Sequence, residues 1–265
     1  VSSCSTGAAS SSTTPPTPSP ASCWRGSGSP CLELSGVAHR YPDGTGSLHD
    51  IDLTLSPGER LALVGANGSG KSTLLGLLAR ELRPTLGRLI ASESRSTRPL
   101  LIPQNPDLSL FCESVEEEIA YGPREARLPL EAVRARVAHA ATALSVEKLL
   151  GRRPQALSRG QRLRVAVAAA LACEPSILLL DEPTAGQDRL RVATLMRALL
   201  PAMAGRSLVF ATHDLDLALR FATRLAVLDA GRLLSVAGPA ATRALLASGR
   251  LPSLAPPALP RRAPP

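Results

Sequence analysis

Aromatic side chains are almost missing from this chain: Phe, Tyr and Trp together make up 2% of its 265 residues. Proteins that hold single-stranded nucleic acid stack bases on such rings, so the scarcity speaks against that role despite a formal net charge of +8. Lysine is scarcer still. Lys71 and Lys148 are the only two, and the arginines are spread along the chain instead of forming a basic run. A solvated basic surface, able to face anionic lipid headgroups, accounts for the charge, and nucleic acid is not expected as a partner. Also missing is any apolar run of the roughly 20 residues that a membrane-spanning helix needs; the longest, Val165 to Cys173, is about half that length. The N-terminal segment has no apolar stretch of the kind a secretory signal carries. The cysteines, Cys4, Cys23, Cys31, Cys112 and Cys173, form no C-x-x-C pair and have no histidine at metal spacing. Structural or incidental thiols in a reducing compartment are therefore expected.

What remains is a chain with 44% hydrophobic and 20% charged residues, ordinary for one large globular domain. Its ends differ in kind. Nineteen of the first thirty residues are Ser, Thr or Pro, too little apolar surface to offset the entropy of ordering. Residues 1–30 are expected to be disordered, as a linker from a preceding domain, a misassigned start or a processing remnant; the acid-free, Ser-rich makeup also weakly resembles a transit peptide. A second Pro-rich disordered tail is expected over residues 249–265.

Between them, short apolar runs alternate with helical patterns, the arrangement of a mainly parallel sheet covered by helices. Strands are expected at Leu61–Val64, Leu100–Ile102, Ile177–Leu180, Leu208–Ala211 and Leu225–Leu228. Helices are expected at Thr73–Leu82, at Leu130–Leu150, where Val133, Val137, Ala141 and Leu144 form a stripe, and at Arg162–Cys173. In such sheets ligands bind at the carboxyl ends of the strands.

Three motifs stand at those ends or at helix starts. Gly65-Ala66-Asn67-Gly68-Ser69-Gly70-Lys71-Ser72 matches the phosphate loop G-x-x-x-x-G-K-[ST] in full, between an apolar strand and a helical run that begins at Thr73. Its glycines let backbone N–H groups approach phosphates, Lys71 neutralises them, and Ser72 is placed to hold Mg²⁺. Ile177 to Leu180 runs into Asp181-Glu182. Phosphoryl transfer needs a metal clamp and a positioned water, and Asp181 and Glu182 are candidates for these roles; read alone, an exposed acidic turn is the lesser alternative. Ser158-Arg159-Gly160-Gln161 precedes an apolar helix and fits a capping box.

Taken in this order, the three resemble the ATP-binding-cassette (ABC) family of transporter ATPases over roughly Leu32 to Ala240. The resemblance implies a P-loop NTPase of α/β class, with a RecA-like mainly parallel sheet, flanking helices, a small antiparallel β subdomain and a helical subdomain inserted at about 112–172 of a domain spanning 31–248. It makes Ser158, Gly160 and Gln161 the signature that contacts the nucleotide of a second subunit. It makes Gln104 the glutamine-loop residue, which contacts Mg²⁺ beside Ser72 and Asp181. Asp188 becomes the aspartate of the loop that crosses to the partner, His213 the switch histidine, and Tyr41 the aromatic that stacks on adenine. Read alone, His213 is more often a hydrogen-bonded structural histidine than a catalytic one, a preference that its place at a strand end reverses, and a packing role stays open for Tyr41.

The resemblance further implies catalysis by Glu182, His213, Gln104 and Lys71. ATP and Mg²⁺ are held by Tyr41, Gly65, Asn67, Gly68, Ser69, Gly70, Lys71, Ser72 and Thr73. A second ATPase subunit, identical or not, and a transmembrane permease are the implied partners, at the cytoplasmic face of the cell membrane.

Pro103-Gln104-Asn105-Pro106-Asp107 and Val115-Glu116-Glu117-Glu118-Ile119-Ala120-Tyr121-Gly122-Pro123 are similar to energy-coupling-factor ATPases, which serve the import of vitamins and of cobalt or nickel ions. A glutamine common in that group after Asp107 is missing here. The main departure is Arg159, which stands where the family usually has glycine; from the sequence it either crowds or supplements contacts to the partner's nucleotide. A soluble ABC ATPase acting on ribosomes or DNA, and a regulatory module that binds ATP without turnover, are the alternative readings.

Overall fold

The computed structural model describes residues 31–44, 47–91 and 99–249. The expectations for 1–30, and for the tail beyond Gly249, lie outside the described residues. A six-stranded sheet forms the centre, in the order β5 (Leu100–Ile102), β6 (Ile177–Asp181), β7 (Ser207–Thr212), β3 (Arg60–Val64), β8 (Arg224–Asp229), β9 (Arg232–Ala237). The first five strands are parallel and β9 returns antiparallel. Beside it lies a three-stranded antiparallel sheet, β2 (Ser47–Leu55), β1 (Leu32–Arg40) and β4 (Leu86–Ala91).

The uninterrupted apolar runs of the central strands follow from burial on both faces. Side chains alternate along a strand, so neighbours serve different cores. Ala62, Val64, Leu178, Leu180, Leu208 and Phe210 join the core built with the helices. Leu61, Leu63, Ile177, Leu179, Val209 and Ala211 join the core shared with the antiparallel sheet and α1 (Lys71–Leu78). Strands β1, β2, β4 and β9 lack such runs because β1 and β2 alternate buried with more exposed positions, while β4 and β9 have no fully buried position.

Helices α2 (Val115–Glu125), α3 (Leu130–Leu144) and α4 (Arg159–Ala172) occupy the stretch between β5 and β6. Then come α5 (Arg189–Ala202), α6 (Leu215–Phe221) and α7 (Pro239–Ala247). Among the described residues no helix is long and apolar enough to cross a membrane. Two helices stop short of the periodicity for a local reason. At the end of α1, Arg80 turns left-handed (φ 62) and Glu81 N–H donates back to Gly76 O at 2.9 Å. At the end of α3, Ser145 does the same (φ 54), with Val146 N–H donating to Ala141 O at 2.9 Å. In both, the reversed residue satisfies carbonyls the helix would leave open.

Strand register brings the functional loops together. Val64 pairs with Thr212, Asp181 with Ala211, and Ile102 with Leu180, so β5, β6, β7 and β3 end level with one another. Phe210, fully buried in the central strand β7, packs beneath these ends. Phe210→Ala is expected to cost about 3–5 kcal/mol, read as a lowered midpoint in chemical denaturation with an unchanged slope.

Candidate functional site

The level strand ends open into a cleft of about 330 Å³, lined by Asn67, Gly68, Gly70, Lys71, Ser72 and Thr73 of the phosphate loop together with Gln104 and Glu182. Glycine is required in the loop by geometry. A Cβ on Gly65 would sit 2.2 Å from Leu228 O and 2.6 Å from Ser69 Oγ. Gly70, which caps α1, has φ 102. The N–H groups of the first turn of α1 have no intrahelical acceptors and carry the positive end of the helix dipole, the environment an anion selects. Ser69 is buried and its Oγ has no hydrogen-bond partner.

Lys71 is itself buried, at 5% exposure. Its Nζ donates to Gly65 O and Ala66 O, both at 3.0 Å, and lies 3.2 Å from Glu182 Oε1. That last contact is an ion pair without hydrogen-bond alignment, since Glu182 Oε1 has no hydrogen-bond partner. The other carboxylate oxygen, Oε2, lies 2.9 Å from His213 Nδ1 and accepts from Thr184 Oγ1 at 3.4 Å. Glu182 holds a left-handed backbone (φ 43), fixed by its N–H donating to Ala211 O on β7 and by Ala185 N–H donating to its carbonyl. Strain of this kind persists only where surrounding bonds impose it. Thr184 and Thr212, the latter fully buried and 3.5 Å away through their hydroxyls, belong to this cluster. No motif in the sequence marked either.

Asp181 sits one residue earlier. Burial pushes its carboxyl above the ordinary value, as does the neighbouring Glu182 charge, while a hydrogen bond with Ser72 and the Lys71 charge pull it down. Oδ1 of Asp181 is buried without a hydrogen-bond partner.

The remaining expected site residues lie elsewhere. Ser158 caps α4 in a reciprocal capping box: Ser158 N–H donates to Gln161 Oε1 at 2.9 Å and Gln161 N–H to Ser158 Oγ at 3.3 Å. Ser158, Gly160 and Gln161 border a separate cavity of about 470 Å³ between the starts of α4 and α5 and the end of α3. Asp188 caps α5, accepting from Leu190 N–H at 2.6 Å. Tyr41 follows β1 and meets His39 edge to face, ring centroids 4.9 Å apart; it does not line the phosphate-loop cleft. The chain thus presents two surfaces, one built on the phosphate loop and one on the start of α4.

A family model described as ABC transporter matches residues 48–185. Over 231 residues the chain is 43% identical to the nickel import ATP-binding protein NikO of Rhodobacter capsulatus, covering 80% of this chain and 90% of that protein. Over 226 residues it is 40% identical to the cobalt import ATP-binding protein CbiO of the same organism, covering 80% of each. Among solved structures, cbiO1 of Clostridium perfringens, described as part of the transporter complex cbiONQ, superposes with a TM-score of 0.75 at 32% identity over 83% of this chain and 93% of that one.

Because the folded chain raises the Asp181 value above that of the unfolded chain, it binds the extra proton between the two values. Stability is lost as pH rises through that interval, and nothing is lost below about 3.8, the ordinary carboxyl value. Asp181→Asn is therefore expected to raise the melting temperature of chelator-treated protein at neutral pH, with the gain shrinking as pH falls to that value, read by calorimetry across a pH series.

Proposed function

The chain belongs to the ABC transporter family, and from that premise we propose that it is the ATP-hydrolysing subunit of an energy-coupling-factor importer that carries nickel or cobalt ions. Binding and hydrolysis of ATP follow from the family; the cargo is suggested by the two import proteins of Rhodobacter capsulatus. The observation that carries the reading is the unbroken sequence of contacts from the phosphate-loop carbonyls through Lys71 and Glu182 to His213, at the mouth of a cleft shaped for phosphates.

Hydrolysis attaches water oxygen to the γ-phosphorus and breaks the bond to the β-γ bridging oxygen, giving ADP and inorganic phosphate. Lys71, backed by two loop carbonyls, binds the β- and γ-phosphate oxygens and bridges them to Glu182. Glu182 Oε1, free of hydrogen bonds, accepts a proton from the attacking water. His213, at 60% side-chain exposure, orients Glu182 through Oε2 and turns its outer face toward the γ-phosphate. Gln104 approaches the same region from the end of β5.

Mg²⁺ fits the oxygen donors Ser72 Oγ, Asp181 Oδ1 and the Gln104 amide, since hard cations take such ligands and Asp181 offers a buried oxygen with no other partner. When bound it supplies charge neutralisation at the phosphate oxygens. Ser158 and the first turn of α4 border the separate cavity and offer N–H groups to the γ-phosphate held by a second subunit. Each chain completes its partner's site, and loss of the γ-phosphate releases the pair. A membrane permease at the cytoplasmic face receives that opening and closing.

Glu182→Gln is expected to lower kcat by about 10²–10⁴-fold while nucleotide is still retained, and Lys71→Ala to lose nucleotide binding itself. Both are read by phosphate release and equilibrium binding with Mg²⁺; full turnover in the Glu182→Gln protein would remove Glu182 as the base.

A further inference from the structure

Arg159 is not accounted for by the reading above, and its side chain takes an unexpected course. Instead of leaving the chain, the guanidinium turns back: Nη2 donates to Gln104 O at 3.4 Å. It also lies over Gly186, where a Cβ would come 3.1 Å from Nη1 and 3.2 Å from Cζ. One turn further along α4, Arg162 Nε forms an ion pair with Asp107 Oδ1 at 2.6 Å, without hydrogen-bond alignment, and its Nη1 donates to Leu157 O at 2.8 Å. Gln187 completes the set, with Oε1 3.0 Å from where a Cβ on Gly160 would stand. The far end of the segment after β5 is anchored too. Glu118, buried in α2, accepts from Phe111 N–H and Cys112 N–H at 2.9 and 2.8 Å.

We propose that Arg159 and Arg162 are positioning residues that fasten the first turn of α4 to the segment 104–107 and, through Gly186, to the loop before α5. The inference rests on the two-surface reading given above. Gln104 lines the cleft of the chain's own nucleotide, whereas Ser158 and Gly160 face the nucleotide of the partner. A shift of Gln104 on nucleotide binding is then passed to the residues that complete the opposite site, and the two sites of a pair fire together. Glycine at 159 has no side chain to make this link, and lysine lacks the planar fork that reaches an acceptor while lying flat on Gly186. Because the ties lie outside the phosphate loop, they act on turnover and leave first binding alone.

The test uses the purified full chain with Mg²⁺-ATP, in the wild type and in the variants Arg159→Gly, Asp107→Asn and Asp107→Glu. Asp107→Asn removes the second tie without altering α4, so the test survives if Arg159→Gly does not fold. Expected are affinity for trinitrophenyl-ATP within about twofold of wild type, a kcat lowered roughly tenfold in Arg159→Gly and Asp107→Asn, and a Hill coefficient for ATP falling toward 1. Asp107→Glu, which keeps the charge, should retain most of the wild-type rate. Wild-type kcat and Hill coefficient in both Arg159→Gly and Asp107→Asn would overturn the proposal, as would a loss confined to nucleotide affinity. A wild-type chain that neither binds nor hydrolyses ATP would instead overturn the functional reading beneath it.

Discussion

The buried contact between Lys71 and Glu182 governs the architecture around it. Two opposite charges held at 5% and 8% exposure are costly to desolvate, and removing one partner of such a pair typically costs about 3–5 kcal/mol. The fold must therefore supply everything else they need: two loop carbonyls for the ammonium, and His213 and Thr184 for the carboxylate. Those groups come from the ends of β3, β6 and β7, so the pair exists only while these strands stay adjacent and in register. Stability and the proposed chemistry are tied at this point, because the charges that the sheet must accommodate are the ones assigned above to phosphate binding and proton transfer.

Much of this is legible in the amino-acid sequence. The five parallel strands announced themselves as short uninterrupted apolar runs, four of them because burial on both faces leaves no polar interruption, and the phosphate loop because a strand, a glycine-rich turn and a helix start occurred together. Asp181-Glu182 was readable as charge emerging from an apolar run. The outer strands were not. Glu33, Ser35, Asp50 and Asp52 break the apolar pattern of β1 and β2, and β4 turns Leu86 and Ile90 outward at 70% and 56% exposure, so pattern and burial disagree there. Contacts between distant residues were equally hidden: nothing local announces that Arg159 reaches back across 55 positions to Gln104, or that Thr212 and Thr184 meet under Glu182.

The alternation of strand residues between two cores also bears on how the motor can move. Since β3, β6, β7 and β8 each contribute to both cores, the central sheet is clamped from either side. The segments on either side of α2 and α3 are short 3₁₀ turns and loops, secured by a few named polar contacts such as the Glu118 bonds. Few bonds resist local opening there.

The shortage of lysine has a practical side. Of the two ε-amines in the chain, the one at Lys71 is enclosed by the phosphate loop, and the other, at Lys148, is open to solvent in the 3₁₀ turn between α3 and α4. An amine-directed dye or cross-linker applied at high pH thus has a single side-chain target, and it reports from the helical side of the protein.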